Sequence, residues 1–506
     1  MLRLHCTHSR IFIRVLWALF LPLLLPTLKA AGERQNIIVF IADDIGAEDY
    51  GCYGNRVVRT PHIDALSRSG RRYTQAFLTA SSCSPSRSSI ITGRYPHNLG
   101  PAAELHLSVS PNIPWVSTVL HEQGYYTALI GKNHMSVDFS AGKPPFPKRW
   151  DLIDKGHMPE NSGLESRWVE TLRNRPKEKP FFFWLAASDA HRGWDGDKQW
   201  DAGAYGPKYR PEDVIVPPFL VDDMATRSDI ASYYNEITRF DHFVGVMMKA
   251  LEEDNLLRNT LVFVLADNGR PFPRAKTRLH DTGMQTALIA HWPEKISNPG
   301  TACHQLVSSI DLAPTLLEAA GAPAPPSFQG VSLVPTFENP GAQVRRHAFS
   351  EHNWHDYEAH GRSVRSEGYL YIKNHRPNAA WQGPADSVAS PSHQSLITAR
   401  TEGRLTEAQK DVFLSPRPAE ELYFTASDPL QLNNLADNPE HATARQKLSA
   451  LLERWMEETG DSVPADLSPD GYDRETGKPL IKGPPVRGTW PGKPRNAHLV
   501  NAPGPR

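Results

Sequence analysis

Cysteine is scarce in this chain: Cys6, Cys52, Cys83 and Cys303 are the four among 506 residues. That excludes a disulfide framework, and the sequence does not decide whether Cys52 pairs with Cys303. Charge of one sign is also missing. Lys plus Arg number 55 and Asp plus Glu 56, for a formal net charge of −1. This excludes a general nucleic-acid binder and leaves room for a local basic pocket. No N-x-S/T sequon follows residue 31, which fits a bacterial exported protein better than a glycosylated eukaryotic one. Long apolar runs are absent beyond the first thirty residues, so no later segment is expected to cross a bilayer. No internal repeat is visible, which excludes a repeat array.

The exception is the beginning. Arg3, Arg10 and Arg14 lead into "VLWALFLPLLLPTL" and then "KAAGE". A positive start, a short apolar stretch and small residues predict a secretory signal over residues 1–31, cut near Ala30 or Ala31. A membrane anchor is the competing reading, but the run is short and holds two prolines. Cleavage would remove Cys6 and leave an exported protein, periplasmic or extracellular, with no membrane attachment.

What the remainder does have is a series of short apolar runs ending in reactive residues. "NIIVFIA" ends in Asp43-Asp44, "YYTALIG" in Lys132-Asn133-His134, "PFFFWLAAS" in Asp189-Ala190-His191, and "TLVFVLA" in Asp267-Asn268-Gly269. The runs are rich in β-branched and aromatic residues and read as buried strands. Helical patterns lie between them, as in "PHIDALSRSG", "VSTVLHEQG" and "YYNEITRFDHFVGVMMKALEEDN". Alternation of this kind predicts an α/β fold, a large mainly parallel sheet flanked by helices. In such sheets ligands gather beyond the carboxyl ends of the strands, where all four polar clusters fall. The domain reading is a catalytic α/β domain over 32–340, a smaller antiparallel-sheet unit over 341–460, and a Pro/Gly-rich tail over 461–506.

Adjacent carboxylates repel, so Asp43-Asp44 needs compensation, and an isolated pair would be a solvated turn or a helix cap. The Asp267-Asn268 pair after another buried strand makes an oxygen-ligated divalent ion the better reading. The absence of His and Cys ligands around the pairs argues against zinc. Cys83 sits in "SSCSPSRSSIITG". A lone cysteine is ordinarily a buried structural residue, and a thiolate is a poor neighbour for a hard cation. The pattern C-x-P-S-R, however, would arise by chance in only about one chain per thousand of this length.

"CSPSRSSIITG" resembles the signature of the type I sulfatase family, whose cysteine is oxidised to formylglycine. "ADDIGAEDYGCYG", "ALIGKNH", "ADNG" and "ELYFTASDPLQLNNLADNP" resemble further sulfatase segments in the same order, over about Asn36 to Glu440. "DNGRPFPRAKTRL" and "SDAHRG" are most similar to the N-sulfoglucosamine sulfohydrolase branch. The resemblance implies an alkaline-phosphatase-like fold. It also implies maturation by a formylglycine-generating enzyme and one Ca²⁺ held by Asp43, Asp44, the modified Cys83, Asp267 and Asn268. One hydroxyl of the hydrated formylglycine would attack sulfur; loss of the other's proton would expel sulfate. By the same resemblance Arg87 would hold the alkoxide, and Lys132 and Lys276 would bind sulfate oxygens. His134 would act as base and His191 as general acid. Arg270, Arg274 and Arg278 compete with Lys276 for the sulfate role.

The implied substrate is a sulfated carbohydrate, preferably the N-sulfo group of glucosamine in heparan sulfate or heparin, with an O-sulfate on another glycan as the alternative. A phosphatase or phosphodiesterase of the same fold would use Ser or Thr and two zinc ions with several His ligands, which these motifs lack. A non-catalytic relative would tolerate loss of Cys83, Arg87 or the lysines, and all are present. For substrate contacts, "SEHNWHDYEAHGRSVRS" offers rings and charges, and Arg192 and Arg365 are candidates for an acidic neighbour. The competing reading of that stretch is an exposed polar loop.

Overall fold

The computed structural model describes Met1 and residues 34–137, 147–155, 164–194, 200–483 and 486–506. Apart from Met1, the segment read as a secretory signal lies outside the described residues. Residues 35–506 form one compact unit holding both sheets.

Eight strands make the large sheet: β1 (Asn36–Ala42), β2 (Arg71–Phe77), β3 (Tyr126–Gly131), β4 (Leu152–Asp154), β5 (Phe181–Ala186), β6 (Thr260–Ala266), β7 (Leu288–His291) and β8 (Cys303–Ser308). Their order is β4-β3-β5-β1-β6-β7-β2-β8, with every pairing parallel except those of β7. The four apolar runs of the sequence are thus four adjacent central strands, β3-β5-β1-β6. Every residue of β1, β5 and β6 is buried, because helices cover both faces.

Side chains alternate between the two layers. Ile38 and Phe40 pack with Trp168 and the long helix Met224–Glu253, while Ile37, Val39 and Ile41 pack with Ile90 and Leu316. Truncating Phe40 to Ala would cost about 3–5 kcal/mol by lost burial and cavity formation. The long helix begins nine residues before the periodic run starting at Tyr233. Asp223 supplies the start by accepting from the Thr226 N–H at 2.9 Å.

The smaller sheet is antiparallel, in the order β12-β11-β10-β9: β9 (Ala348–His352), β10 (Gly361–Ser366), β11 (Tyr369–Asn374) and β12 (Glu420–Phe424). The helix Ala442–Glu458 covers it through Leu448, Leu452 and Trp455. β9 is bonded to the segment after β2: Glu351 N–H donates to the Thr79 carbonyl at 2.8 Å, and Ser350 Oγ to that of Leu78 at 2.6 Å. This brings residues 350–356 beside residues 79–83.

The Pro/Gly-rich end lies on the fold. The buried Arg94 guanidinium donates to the carbonyl of Val500 and to Asn501 Oδ1, and Asn98 Nδ2 donates to the Ala497 carbonyl at 2.7 Å. Cys52, Cys83 and Cys303 are all free thiols.

Candidate active site

Cys83 opens the buried helix Cys83–Thr92, which stops at Gly93 in the left-handed conformation (φ 63°). Its N-terminal position places residue 83 at the positive end of the helix dipole. Burial pushes the Cys83 thiol up, so a plain thiolate is disfavoured despite Lys132 and Lys276 nearby.

The chain turns sharply after β1. Asp44 is left-handed (φ 58°), a conformation Asp tolerates, which breaks the side-to-side alternation of the strand. Both carboxylates therefore face Cys83, whose Sγ lies 3.9 Å from Asp43 Oδ1 and 3.9 Å from Asp44 Oδ1. From the end of β6, Asp267 Oδ1 accepts the Asp44 N–H at 3.2 Å, and Asn268 Nδ2 donates to Asp44 Oδ1. All four ligand candidates are completely buried.

Cations answer these anions. Arg87, one helical turn beyond Cys83, donates from Nε to Asp267 Oδ2 at 2.7 Å, and its Nη2 lies 3.7 Å from Asp43 Oδ1. That Nη2 has no hydrogen-bond partner among the described residues. Lys132 Nζ bonds Asp43 Oδ2, and Lys276 Nζ lies 2.7 Å from Asp44 Oδ2. Burial opposes both ammonium groups, but Asp43 for Lys132, and Asp386 and Asp44 for Lys276, hold them charged. Burial and the neighbouring Asp43 raise the Asp267 carboxyl against the pull of Arg87.

Lys276 and its three arginine competitors differ in placement, Lys276 being the one paired with Asp44. Arg270 pairs with Asp49 and Glu48, Arg274 with Asp411, and Arg278 lies 3.9 Å from Asp411. Three buried carboxylates and the Asn268 Oδ1, buried without a hydrogen-bond partner, suit a hard divalent cation with oxygen ligands. Three cationic side chains beside them suit a tetrahedral oxyanion.

A cavity of about 500 Å³ opens here, lined by His106, Lys132, His134, Lys155, Ser188 and His191 among others. His134 Nε2 is 2.7 Å from His106 Nδ1. Burial, reinforced by the positive charges of Lys132, the neighbouring His106 and Arg87, pushes His134 well below the ordinary histidine range. A neutral imidazole results. His191 is partly exposed at the mouth; its Nδ1 lies 2.8 Å from the Arg192 carbonyl and its Nε2 3.9 Å from Asp386 Oδ2.

Two residues near this site, His106 and Asp386, escaped the sequence reading, and a third, His355, belongs to the stretch "SEHNWHDYEAHGRSVRS" but was not singled out within it. His106 had no local signal beyond being one of 21 histidines. His355 Nδ1 lies 2.7 Å from Ser82 Oγ, a contact made by β9 docking after β2. Asp386 lies 3.6 Å from Lys276 Nζ. Burial opposes its ionisation, but Lys276, then His191 and Arg192, hold its carboxyl below the usual range.

Two substrate-contact expectations are corrected. Arg192 forms a bidentate pair with Asp229 at 2.9 Å and donates to the Pro271 carbonyl, and Arg365 pairs with Asp281 at 2.9 Å. Both guanidinium groups are held by carboxylates of the fold and neither lines the cavity. In "SEHNWHDYEAHG" the rings of Trp354 and Tyr357 are buried, with Trp354 Nε1 bonded to the Pro469 carbonyl and Arg487 stacked on its face. They pack the fold instead of offering a platform for a sugar.

A mainly parallel sheet with acidic clusters at its central strand ends, joined to a small antiparallel sheet, is the architecture of alkaline-phosphatase-like hydrolases. Residues 35–322 match the family described as Sulfatase, and residues 275–383 match that described as N-sulphoglucosamine sulphohydrolase, C-terminal. The chain belongs to the sulfatase family, in its type I group.

An ulvan-active sulfatase of Formosa agariphila is 30% identical over 480 residues, covering 85% of this chain and 76% of that protein. The N-sulphoglucosamine sulphohydrolase of Homo sapiens is 29% identical over 474 residues, covering 86% and 92%. Among solved structures, a protein in complex with its substrate D-glucosamine-2-N,6-O-disulfate superposes with a TM-score of 0.62 at 18% identity, covering 84% of this chain and 98% of that one. The phosphonate monoester hydrolase of Agrobacterium radiobacter gives 0.64 at 15% identity, covering 89% and 100%. These two likenesses establish the shared fold.

Proposed function

We propose that this enzyme hydrolyses the N-sulfo group of glucosamine in heparan sulfate or heparin, after Cys83 has been oxidised to formylglycine by a maturation enzyme. The observation that carries the reading is the meeting of Cys83 with Asp43, Asp44, Asp267 and Asn268 inside a ring of Arg87, Lys132 and Lys276. The sulphohydrolase match over residues 275–383 and the human relative favour the N-sulfo sugar.

Asp43, Asp44, Asp267, Asn268 and residue 83 are the ligands we assign to one Ca²⁺. Bound there, the ion would polarise sulfate and lower the pKa of a hydroxyl on residue 83. The helix N-terminus and Arg87 Nη2 stabilise negative charge on that hydroxyl oxygen. Lys132 and Lys276 hold sulfate oxygens as charge builds in the transition state. His191, at the mouth, delivers a proton to the departing nitrogen, and the neutral His134 removes the proton whose loss frees sulfate. The cavity lined by Lys132, His134 and His191 is the side from which the sugar would enter. The chain would act outside the cytoplasm once its N-terminal segment has directed export.

A second reading, an O-sulfatase on another sulfated glycan, is favoured by the ulvan-active relative. One panel separates the two: sulfate release from N-sulfoglucosamine, 6-O-sulfated glucosamine and galactose sulfates, using protein made with a maturation enzyme. Turnover of an O-sulfate with none of the N-sulfo sugar selects the second reading. Intact mass of the Cys83 peptide tests the nucleophile; full activity with an unchanged thiol overturns it.

A further inference from the structure

Asp386 pairs with Lys276 but has been given no contact with substrate, and it lies three residues beyond the end of the sulphohydrolase match. It sits on the short helix Ala385–Val388. That helix is anchored by Asp356 Oδ2, which accepts the Ala385 N–H at 2.9 Å, while the Ser387 N–H donates to Asp386 Oδ1 at 2.7 Å. The second oxygen is left facing the site. Asp386 Oδ2 is 3.6 Å from Lys276 Nζ and 3.9 Å from His191 Nε2. Asp44, His191 and Asp386 each place one such atom within 4.8 Å of the others.

Asp44, the nearer carboxylate on Lys276, is one of the assigned ion ligands; Asp386 is not, and an anion outside the ion site repels the sulfate that lysine is there to hold. It is useful if the substrate brings a donor. Lys276 and His191 are the groups read above as flanking a sulfate oxygen and the departing atom. With a substrate held by those two groups, their common neighbour, Asp386 Oδ2, would face the atom that bridges sugar and sulfur. In a sulfamate that atom is nitrogen and carries a hydrogen; in a sulfate ester it is oxygen and carries only lone pairs.

We propose that Asp386 is a specificity residue that accepts a hydrogen bond from the bridging N–H, so that the site favours N-sulfo over O-sulfo sugars. The inference rests on the N-sulfo reading above and deepens it. During transfer the S–N bond breaks and its electron pair stays on nitrogen, which takes a proton from the protonated His191. Sulfur bonds instead to the hydroxyl oxygen of residue 83, whose proton leaves to a base of the site. The amine then takes up a proton from water. Its N–H contact with Asp386 becomes charge-assisted, and such bonds are about twice as strong as neutral ones. An ester's bridging oxygen offers no donor until its own bond to sulfur is broken, and until then it is repelled.

The test compares wild type with Asp386→Asn on N-sulfoglucosamine and on glucosamine 6-O-sulfate with its amine acetylated. A nitrophenyl sulfate and a melting curve serve as controls for folding. A hydrogen bond to a charged group is worth about 1.5–3 kcal/mol, so kcat/KM on the N-sulfo sugar is expected to fall about 10- to 150-fold. The O-sulfo rate should stay level or rise. An equal fall on both substrates overturns the proposal by assigning Asp386 a merely structural role. A wild type that turns over the O-sulfate but not the N-sulfo sugar defeats the substrate reading and this inference together. N-sulfo turnover with an unmoved substrate ratio defeats this inference alone. Should the variant not fold, product inhibition of the wild type decides: glucosamine must inhibit more strongly than glucose, and equal inhibition overturns the proposal.

Discussion

Arg87 Nε donates to Asp267 Oδ2 at 2.7 Å, tying the first turn of the Cys83 helix to the end of β6 with both side chains fully buried. Breaking a buried pair leaves a charge uncompensated, at a cost of about 3–5 kcal/mol. Arg87→Ala is therefore expected to lower stability by that amount in chemical denaturation. Arg87→Lys should retain the fold yet lose at least about 100-fold in kcat, because a single ammonium cannot bond Asp267 and a nucleophilic oxygen together.

Chelation should both inactivate and destabilise. Asp43, Asp44 and Asp267 are buried, and removal of a divalent ion returns their mutual repulsion to the site. Treatment with a Ca²⁺ chelator is expected to lower Tm by several degrees, with recovery on adding Ca²⁺. Asp267→Asn should melt at a temperature indifferent to chelator. A wild-type Tm unmoved by chelator and by Ca²⁺ would count against the ion site.

A general acid matters most when the leaving group is a strong base. Replacing His191, which lines the cavity with its Nε2 3.9 Å from Asp386 Oδ2, should cost about 10²–10⁴ in kcat on an amine or alcohol leaving group. On a nitrophenyl sulfate, whose phenolate leaves unprotonated, the loss should be much smaller. Equal losses on both substrates would remove His191 from the acid role.

His393 is buried, its Nε2 lies 2.9 Å from Gln382 Oε1, and burial pushes its pKa down to about 4. The unfolded chain, with a histidine near 6.5, binds that proton first, so stability declines as pH falls from about 6.5 toward 4. His393→Gln removes this share of the acid sensitivity. Urea denaturation at pH 7 and pH 4.5 should give a decline smaller in the variant by on the order of 2–3 kcal/mol. Identical declines would show that His393 titrates normally.

The C-terminal residues support the Cys83 helix from outside. Arg94, immediately after Gly93, bonds the carbonyls of Val500 and Ser327 and Asn501 Oδ1. Deleting residues 497–506 removes the His498 and Val500 carbonyls from Arg94 Nη2 and one of two partners from both Arg94 Nη1 and Asn98 Nδ2, each N–H left buried and unpaired costing about 1–3 kcal/mol. A Tm lower by several degrees and reduced kcat are expected, and an unchanged Tm would make the segment dispensable.

The amino-acid sequence determined the strands that matter and the chemistry at their ends. "NIIVFIA", "YYTALIG", "PFFFWLAAS" and "TLVFVLA" are apolar throughout because strands covered on both faces have no solvent side, and that local pattern needs no partner to be read. Strands with weaker patterns escaped: β4 spans three residues, β7 four, and β2 is the polar "RRYTQAF". Only the tertiary structure could set β3, β5, β1 and β6 side by side, pair Lys276 with Asp44 while three arginines meet other carboxylates, withdraw Arg192 and Arg365 into ion pairs, and bring His106, His355 and Asp386 to the site. Those outcomes depend on pairings between residues far apart in the chain. No local run encodes them, because each is fixed by where the partner's backbone comes to rest.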